Sequence, residues 1–178
     1  MPSSPEARVA VRNAAAGDAE PVAAIYNHYV ADTIVTFEEE PVQAAEIGCR
    51  MDEVRRAGLP WLVAERRGAV VGYAYATPWR PRRGYRFSTE VTVYVAPGEA
   101  SRGIGSLLYR ELLATLEQRD VHAAMGGIAL PNDASVALHE KFGFKKVAHF
   151  EQAGFKFNRW IDVGYWQRVF QARGGDRS

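Results

Sequence analysis

The chain has one cysteine, no long apolar run and almost no excess of charge, and each shortage excludes a class of protein. Cys49 is the only cysteine among 178 residues, so an internal disulfide is excluded and a reducing cytoplasm is the expected location. The longest apolar run, Gly68 to Ala76, is too short to span a bilayer. The formal net charge is +1, which gives no electrostatic reason to expect nucleic acid or a membrane as a partner.

The chain does contain alternating strand and helix patterns over the length of one domain. Val91, Val93 and Val95 alternate with Thr92 and Tyr94, which predicts a strand. We predict an α/β (α+β) domain over residues 8–171, with residues 1–7 and 172–178 as flexible ends. The predicted strands are 8–13, 61–67, 70–76, 89–95, 121–130, 145–152 and 160–170, and the predicted helices are 18–29, 42–57, 103–118 and 132–142, the third with a stripe of Leu107, Leu108, Leu112 and Leu116.

A glycine loop, residues 100–106, stands between the strand ending at Val95 and the helix that follows. Backbone N–H groups and the positive end of a helix bind phosphate, and Gly103 and Gly105 lack the Cβ that would keep a pyrophosphate away. Arg102 adds a charge. The alternative is a tight turn with no ligand. Leu108 stands where a dinucleotide fingerprint needs a third small residue, so that kind of site is excluded.

Two segments resemble the acyl-CoA motifs of the GCN5-related N-acetyltransferases. The first is the strand Val91–Val95 with the loop Ser101–Gly105 and the leucine helix, and the second is Asn132 followed by His139–Phe144 with its Gly-Phe turn. One departure is Ala100, where the family usually has Gln or Arg. The likeness extends to the phosphinothricin and methionine sulfoximine acetyltransferases and covers roughly residues 8 to 170, through the segments Ile25–Tyr29, Trp61–Glu65, Tyr73–Arg80 and Gly164–Arg168.

The resemblance implies a mixed central sheet of about seven strands with about four helices. It also implies acetyl-CoA as co-substrate, a small-molecule amine as acceptor, and a homodimer paired through the C-terminal strands. The four histidines show no metal-ligand spacing, so we expect no metal. The residues implied to bind the cofactor are Val93, Tyr94, Val95, Ser101, Arg102, Gly103, Ile104, Gly105, Ser106 and Asn132.

Acetyl transfer to an amine requires a base for the amine, stabilisation of the thioester oxygen and a proton for the thiolate. No protein nucleophile is needed, so Cys49 need not take part. Glu90 precedes the glycine loop in its strand, and the resemblance makes it the candidate base; the alternative is an ordinary strand residue facing solvent. The resemblance makes His139 the candidate acid, and the alternative is a packed, hydrogen-bonded core histidine.

The basic and aromatic segment Trp79–Arg86 is the predicted acceptor contact. Arginine forks bind carboxylate or phosphinate oxygens, and aromatic rings can wall a small pocket. The alternative is a solvated basic surface. The predicted acceptor-binding residues are Trp79, Arg80, Tyr85, Arg86, Phe37 and Tyr29.

Two rival functions remain open at this stage. One is acetylation of a protein N-terminus, a lysine or another amine. The other is a non-catalytic acyl-CoA-binding module. The presence of Glu90 and His139 beside the CoA motifs argues against the non-catalytic module, and the segment Trp79–Arg86 suits a small anion better than a peptide.

Overall fold

Seven strands form one mixed sheet in the computed structural model, which describes residues 8–171. Only β4 and β5 are parallel, whereas all other neighbouring pairs are antiparallel. The strands lie in the order β1-β2-β3-β4-β5-β7-β6 and span β1 (Ala10–Asn13), β2 (Trp61–Arg66), β3 (Ala69–Pro78), β4 (Ser88–Val95), β5 (Ala123–Leu130), β6 (Lys145–Lys156) and β7 (Arg159–Val169).

Four α-helices accompany the sheet: α1 (Ala19–Asp32), α2 (Ala44–Arg56), α3 (Ile104–Gln118) and α4 (Asp133–Lys141). The predicted mixed sheet with about four helices is thereby confirmed. The ends predicted to be flexible, 1–7 and 172–178, lie outside the described residues. Within 8–171, no helix combines the length and the apolar character that a membrane crossing requires.

The two faces of the sheet carry two separate layers of core. Side chains alternate between faces along a strand, so Leu62 and Ala64 of β2 pack with α3, whereas Trp61 and Val63 pack with α1 and α2. The predicted leucine stripe needs one correction, because Leu107 is only half-buried. The buried face of α3 consists of Ile104, Leu108, Tyr109, Leu112, Leu113 and Leu116.

Asp18 is the N-cap residue of α1, but its side chain makes no capping bond to that helix. Its carboxylate instead accepts a hydrogen bond from the Ala15 amide at 2.7 Å and pairs with the Arg12 guanidinium at 2.6 Å. These contacts close a short 3-10 turn, Ala16–Asp18, ahead of the helix. The start of α4 follows the prediction: the Asn132 side chain accepts a hydrogen bond from the Ser135 amide at 3.1 Å.

The feature that positions the site is the short pairing of β4 with β5. The two strands pair over three residues only, and the last pair is Glu90 with Met125. Beyond it β4 stays with β3 through Val95, and β5 stays with β7 through Leu130. The sheet therefore splits at this point, and each strand of the split leads to the start of a helix, α3 after β4 and α4 after β5.

Candidate active site

A first cleft lies between the end of β4, the glycine loop and α4, and we call it the glycine-loop cleft. Its volume is about 460 Å³. Of the ten residues predicted to bind the cofactor, all but Arg102 line it: Val93, Tyr94, Val95, Ser101, Gly103, Ile104, Gly105, Ser106 and Asn132.

The backbone of the glycine loop has the conformation that a phosphate site needs. Gly103 is the N-cap of α3 and has φ 77°, and Ser101 also has a positive φ of 63°. Only glycine adopts such a conformation readily, so Gly103 is required for the turn itself as well as for any approach of phosphate. The loop thus directs the N-terminus of a 15-residue helix, with its free N–H groups, at the cleft.

Two charged residues of this cleft were missed by sequence reasoning. The Lys141 ammonium on α4 donates to the Ser106 hydroxyl at 3.0 Å, and both residues line the cleft. Glu99 also lines it, and its carboxylate accepts a hydrogen bond from the Arg66 guanidinium. Arg102 does not line the cleft, and its guanidinium lies 3.6 Å from the same carboxylate. The two arginines therefore offset the negative charge of Glu99 beside the loop.

The edge of β4 beyond Glu90 faces this cleft with backbone groups that have no partner strand on that side. Such an edge accepts an extended amide-bearing chain as an added strand. The Tyr29 hydroxyl donates to one of these groups, the Val95 carbonyl, at 2.6 Å. Tyr29 was predicted to contact the acceptor, but it lies in the glycine-loop cleft instead.

A second cleft, which we call the aromatic cleft, has a volume of about 640 Å³. Four of the residues predicted to contact the acceptor line it, namely Phe37, Trp79, Arg80 and Tyr85. Arg86 does not, because its guanidinium lies over the Phe87 ring at 4.3 Å and the residue is exposed. The other lining residues are Ser88, Met125, Val147, Ala148, Phe150, Ala153, Val163, Tyr165 and Gln167.

The C-terminal strands contribute more to the aromatic cleft than the sequence indicated. Tyr165 of β7 meets the Trp79 ring edge-to-face, with 5.4 Å between the ring centroids, and Phe150 of β6 meets Tyr165 at 5.9 Å. The aromatic C-terminal end was interpreted from the sequence as core or dimer surface. Only the order of the strands, which brings β7 beside β5, places these rings at the site.

Glu90 lines neither cleft itself, but it lies on β4 between Ser88, which lines the aromatic cleft, and Val93, which lines the glycine-loop cleft. Gly127 of β5 faces it: a Cβ there would stand 3.2 Å from the Glu90 Oε1 and 3.1 Å from the Tyr165 Cζ. Burial raises the pKa of the Glu90 carboxyl above its ordinary value, and the nearby charge of Arg80 opposes that rise. The carboxylate is therefore a stronger proton acceptor than an exposed one.

His139 is buried, with 4% of its surface exposed, and lines neither cleft. Its Nδ1 lies 2.7 Å from the Ser135 carbonyl and its Nε2 lies 2.8 Å from the Tyr109 hydroxyl. A carbonyl only accepts, so Nδ1 carries the proton and Nε2 accepts from Tyr109. Burial lowers the pKa of His139, and the bond to Ser135 opposes this. This geometry matches the packed alternative rather than the acid. Its ring leaves no room for a Cβ on Gly126.

Comparison with known proteins decides the family. The model of the acetyltransferase (GNAT) domain matches residues 11–164. Over 171 residues the chain is 42% identical to a phosphinothricin N-acetyltransferase of Streptomyces viridochromogenes, covering 94% of this chain and 92% of that protein. The chain belongs to the GNAT family. It is an acetyl-CoA-dependent N-acetyltransferase.

Two solved GNAT structures are similar over nearly the whole chain. One is a phosphinothricin acetyltransferase from Sinorhizobium meliloti in complex with acetyl-CoA, with a TM-score of 0.88 and 34% identity over 90% of this chain and 88% of that one. The other is a ribosomal-protein-alanine N-acetyltransferase from Brucella melitensis, with a TM-score of 0.88 and 39% identity over 90% of this chain and 99% of that one. Within residues 8–171, no three His, Cys, Asp or Glu side chains gather in a way that would hold a metal ion.

We predict that Gly105→Val weakens acetyl-CoA binding while the chain still folds. A Cβ at Gly105 would meet Leu138 and Val95 at 3.6 and 3.7 Å, which is ordinary contact, but the side chain enters the cleft beside the backbone donors. Loss of one charge-assisted contact costs about 1.5–3 kcal/mol, or roughly 10- to 150-fold in Kd. Calorimetry measures the affinity, and Gly48→Val on α2, remote from the cleft, is the control. Wild-type affinity in a folded Gly105→Val variant would remove the phosphate site.

Proposed function

We propose that this enzyme transfers the acetyl group of acetyl-CoA to the α-amine of a small amino-acid analogue, such as phosphinothricin or methionine sulfoximine or sulfone. The observation that carries the proposal is the aromatic cleft, in which Arg80 is the one guanidinium among the lining residues and whose wall residue Tyr165 meets Glu90 across Gly127. A cleft that holds a cation and adjoins a candidate base suits an acceptor that carries both an amine and an acidic group. The phosphinothricin acetyltransferases among the similar proteins support this acceptor class.

The glycine-loop cleft holds acetyl-CoA in this proposal. The N–H groups at the start of α3 bind the pyrophosphate, with Lys141 as an added cation, because both line the cleft. The open edge of β4 from Val91 to Val95 binds the amide-bearing arm of CoA. The split between β4 and β5 then directs the thioester toward Glu90, the last paired residue of β4.

Glu90 is the proposed general base. It takes a proton from the bound ammonium group, directly or through a water, and the free amine attacks the thioester carbon. The carbon–sulfur bond breaks, the acetyl group stays on the amine nitrogen, and the proton that this nitrogen still has to lose passes to the leaving CoA thiolate, directly or through a water. Binding both reactants at one fork of the sheet supplies the orientation that direct transfer requires.

His139 has a packing role in this proposal. Both of its ring nitrogens are already engaged, by Ser135 and by Tyr109, and a neutral imidazole is a poor proton donor. Its contact with Gly126 supports the β5 side of the split. The geometry thus favours the second of the two roles that the sequence left open.

Acetylation of a protein N-terminus is the second candidate function. The similarity to the ribosomal-protein-alanine N-acetyltransferase from Brucella melitensis favours it. The aromatic cleft argues against it. Aromatic rings form much of its wall, and Arg80 is the single guanidinium among the residues that line it. A peptide needs an extended groove, whereas a walled cleft with one anion-binding group suits a small molecule.

We also propose a homodimer in the cytoplasm. The β6–β7 hairpin exposes Phe155, Phe157 and Trp160, with 47%, 51% and 62% of their surfaces accessible. Trp166, further along β7, is buried and unavailable. A cluster of exposed aromatic side chains marks a contact surface. The cytoplasmic location rests on the single free cysteine, Cys49, which is exposed.

We expect light scattering at micromolar concentration to give twice the mass of one chain. Trp160→Glu should shift the protein toward monomer, because a charge replaces the most exposed aromatic side chain of the hairpin. Ala24→Glu, at an exposed position of α1, is the control. A monomer in the wild-type protein would contradict the dimer.

We predict that Glu90→Gln lowers kcat about 10²–10⁴-fold and leaves the Kd of acetyl-CoA unchanged. Because burial raises the pKa of Glu90, the wild-type kcat should fall with decreasing pH in a step that lies above the ordinary carboxyl range. That step should disappear in Glu90→Gln and persist in His139→Gln. Full turnover in Glu90→Gln between pH 6 and 9 would mean that the base lies elsewhere.

The acceptor is tested with Arg80→Ala and its neighbour Arg86→Ala as the matched control, because Arg86 stands outside the cleft. The assay follows free CoA thiol with phosphinothricin, methionine sulfoximine, methionine sulfone, simple amino acids and peptides with free N-termini. Arg80→Ala should lower kcat/KM for the acidic analogues roughly 10- to 150-fold, from a lost contact of about 1.5–3 kcal/mol. It should also raise the pKa of Glu90, because Arg80 lowers it.

Two outcomes of this assay would contradict the proposal. Equal losses in Arg80→Ala and Arg86→Ala would mean that a general basic surface, and not a defined contact, binds the acceptor. Activity on peptides with none on amino-acid analogues would replace the small-molecule function with N-terminal acetylation.

A further inference from the structure

A buried lysine near the end of β6 has no part in the chemistry described above. Lys156 has 2% of its surface exposed, and its ammonium donates to the Thr36 carbonyl at 2.9 Å, across 120 residues of sequence. Burying an ammonium group is unfavourable unless it is well paired. Burial lowers the pKa of Lys156, and the charges of Glu39 and Glu38 oppose this. A buried ammonium group therefore requires a structural explanation at this position.

The partner of Lys156 lies in the connection between α1 and α2, residues 33–43, which we call the α1–α2 loop. Thr36 is also held from the other side, because its hydroxyl bonds to the Tyr26 hydroxyl at 2.7 Å. Glu38 pairs with Arg50 of α2 at 2.8 Å. The one residue between these two anchored positions is Phe37, so its backbone is fixed on both sides.

The ring of Phe37 rests on the same strand that carries Lys156. A Cβ on Gly154 would stand 2.2 Å from the Cε1 and Cζ of Phe37, so only glycine leaves room for the ring. Gly154 and Lys156 point to the same face of β6 because they are two residues apart. The same face of β6 therefore contacts the Phe37 ring at Gly154 and holds the α1–α2 loop through Lys156.

The α1–α2 loop contacts both clefts of the enzyme. Val35 lines the glycine-loop cleft, and Phe37 lines the aromatic cleft. A shift of this loop would therefore move one wall of the acceptor cleft, while most of the other cleft is built from β4, the glycine loop and α4.

We propose that Lys156 is a positioning residue: by holding the Thr36 carbonyl while Gly154 seats the ring, it fixes Phe37 as the wall that sets the size of the acceptor side group. This rests on the proposed function, because selectivity among acceptors is the property it determines. The lysine side chain is long enough for its ammonium to reach the Thr36 carbonyl. An apolar side chain of similar length would leave that carbonyl unpaired, which is why a lysine occupies this buried position.

The first test compares Lys156→Met, Lys156→Arg and Gly154→Ala in a panel of amino-acid acceptors of increasing side-group size. Lys156→Met removes the ammonium, and Gly154→Ala displaces the ring without touching the lysine. Both should raise the KM of the best acceptor about ten- to a hundredfold, since a displacement of this size costs that much, and both should flatten the preference between small and large acceptors. The KM of acetyl-CoA should change less than twofold, and Lys156→Arg should recover part of the selectivity.

The second test needs no activity. Glu38, Glu39 and Glu40 lie in the α1–α2 loop, so a glutamate-specific protease reports on how firmly it is held. Native Lys156→Met should be cut there faster than the wild type, and Lys146→Met, an exposed lysine of the same strand, should not.

The outcomes separate the two proposals. A wild-type enzyme inactive on every amino-acid acceptor removes the proposed function, and faster cutting of the loop in Lys156→Met would still support the anchor. The positioning role is overturned if the wild type is active on amino acids while Lys156→Met and Gly154→Ala show unchanged selectivity and unchanged cutting. This holds even if the melting temperature of the variants falls.

Discussion

The rest of the site depends on one constraint, the end of the pairing between β4 and β5 after Glu90 and Met125. The backbone groups that would have continued the pairing of β4 with β5 face a cleft instead. The chain on each side continues into the N-terminus of a helix. An unpaired backbone edge and two helix starts at one place form a site for a ligand that carries both amides and phosphates. No other part of the described chain combines these features. On one side of the split β4 remains paired with β3 and β3 with β2, and on the other side β5 remains paired with β7 and β7 with β6.

The carboxylate at the fork acts under two opposing influences. Burial raises the pKa of Glu90, and Arg80 lowers it. A base that removes a proton from an ammonium group must be ionised at working pH and yet basic enough to accept the proton. In the proposed function the charge of Arg80 opposes the effect of burial on the Glu90 carboxyl, and the same guanidinium binds the acidic group of the acceptor. The cation proposed to bind the acceptor would thus also tune the proposed base.

The sequence predicted those parts of the structure that depend on local pattern. The β4–loop–α3 segment was predictable because alternating valines, two glycines and a leucine stripe are each local signals, and nine of the ten cofactor residues lie together. Tyr165, Phe150 and Gly154 were not predictable as site residues, because only the pairing of β7 with β5 and of β6 with β7 brings them there. His139 carried a motif signal, but its hydrogen bonds to Ser135 and Tyr109 are tertiary contacts that no spacing reveals. Arg80 and Arg86 looked alike in sequence, and each guanidinium lies over the ring of a neighbouring residue, but only Arg80 lines the aromatic cleft.

The two clefts differ in which elements of the fold form their walls. The glycine-loop cleft is built mostly from β4, the loop and α4, and in the proposed function backbone groups supply most of its contacts with acetyl-CoA, with Lys141 as an added cation. The aromatic cleft takes its walls from the α1–α2 loop, the segment after β3 and the β6–β7 hairpin, together with Ser88 of β4 and Met125 of β5. The loop and the hairpin meet through Thr36, Phe37, Gly154 and Lys156. In the proposed function, acceptor choice can therefore change through a few of these residues while the glycine-loop cleft and Glu90 remain as they are.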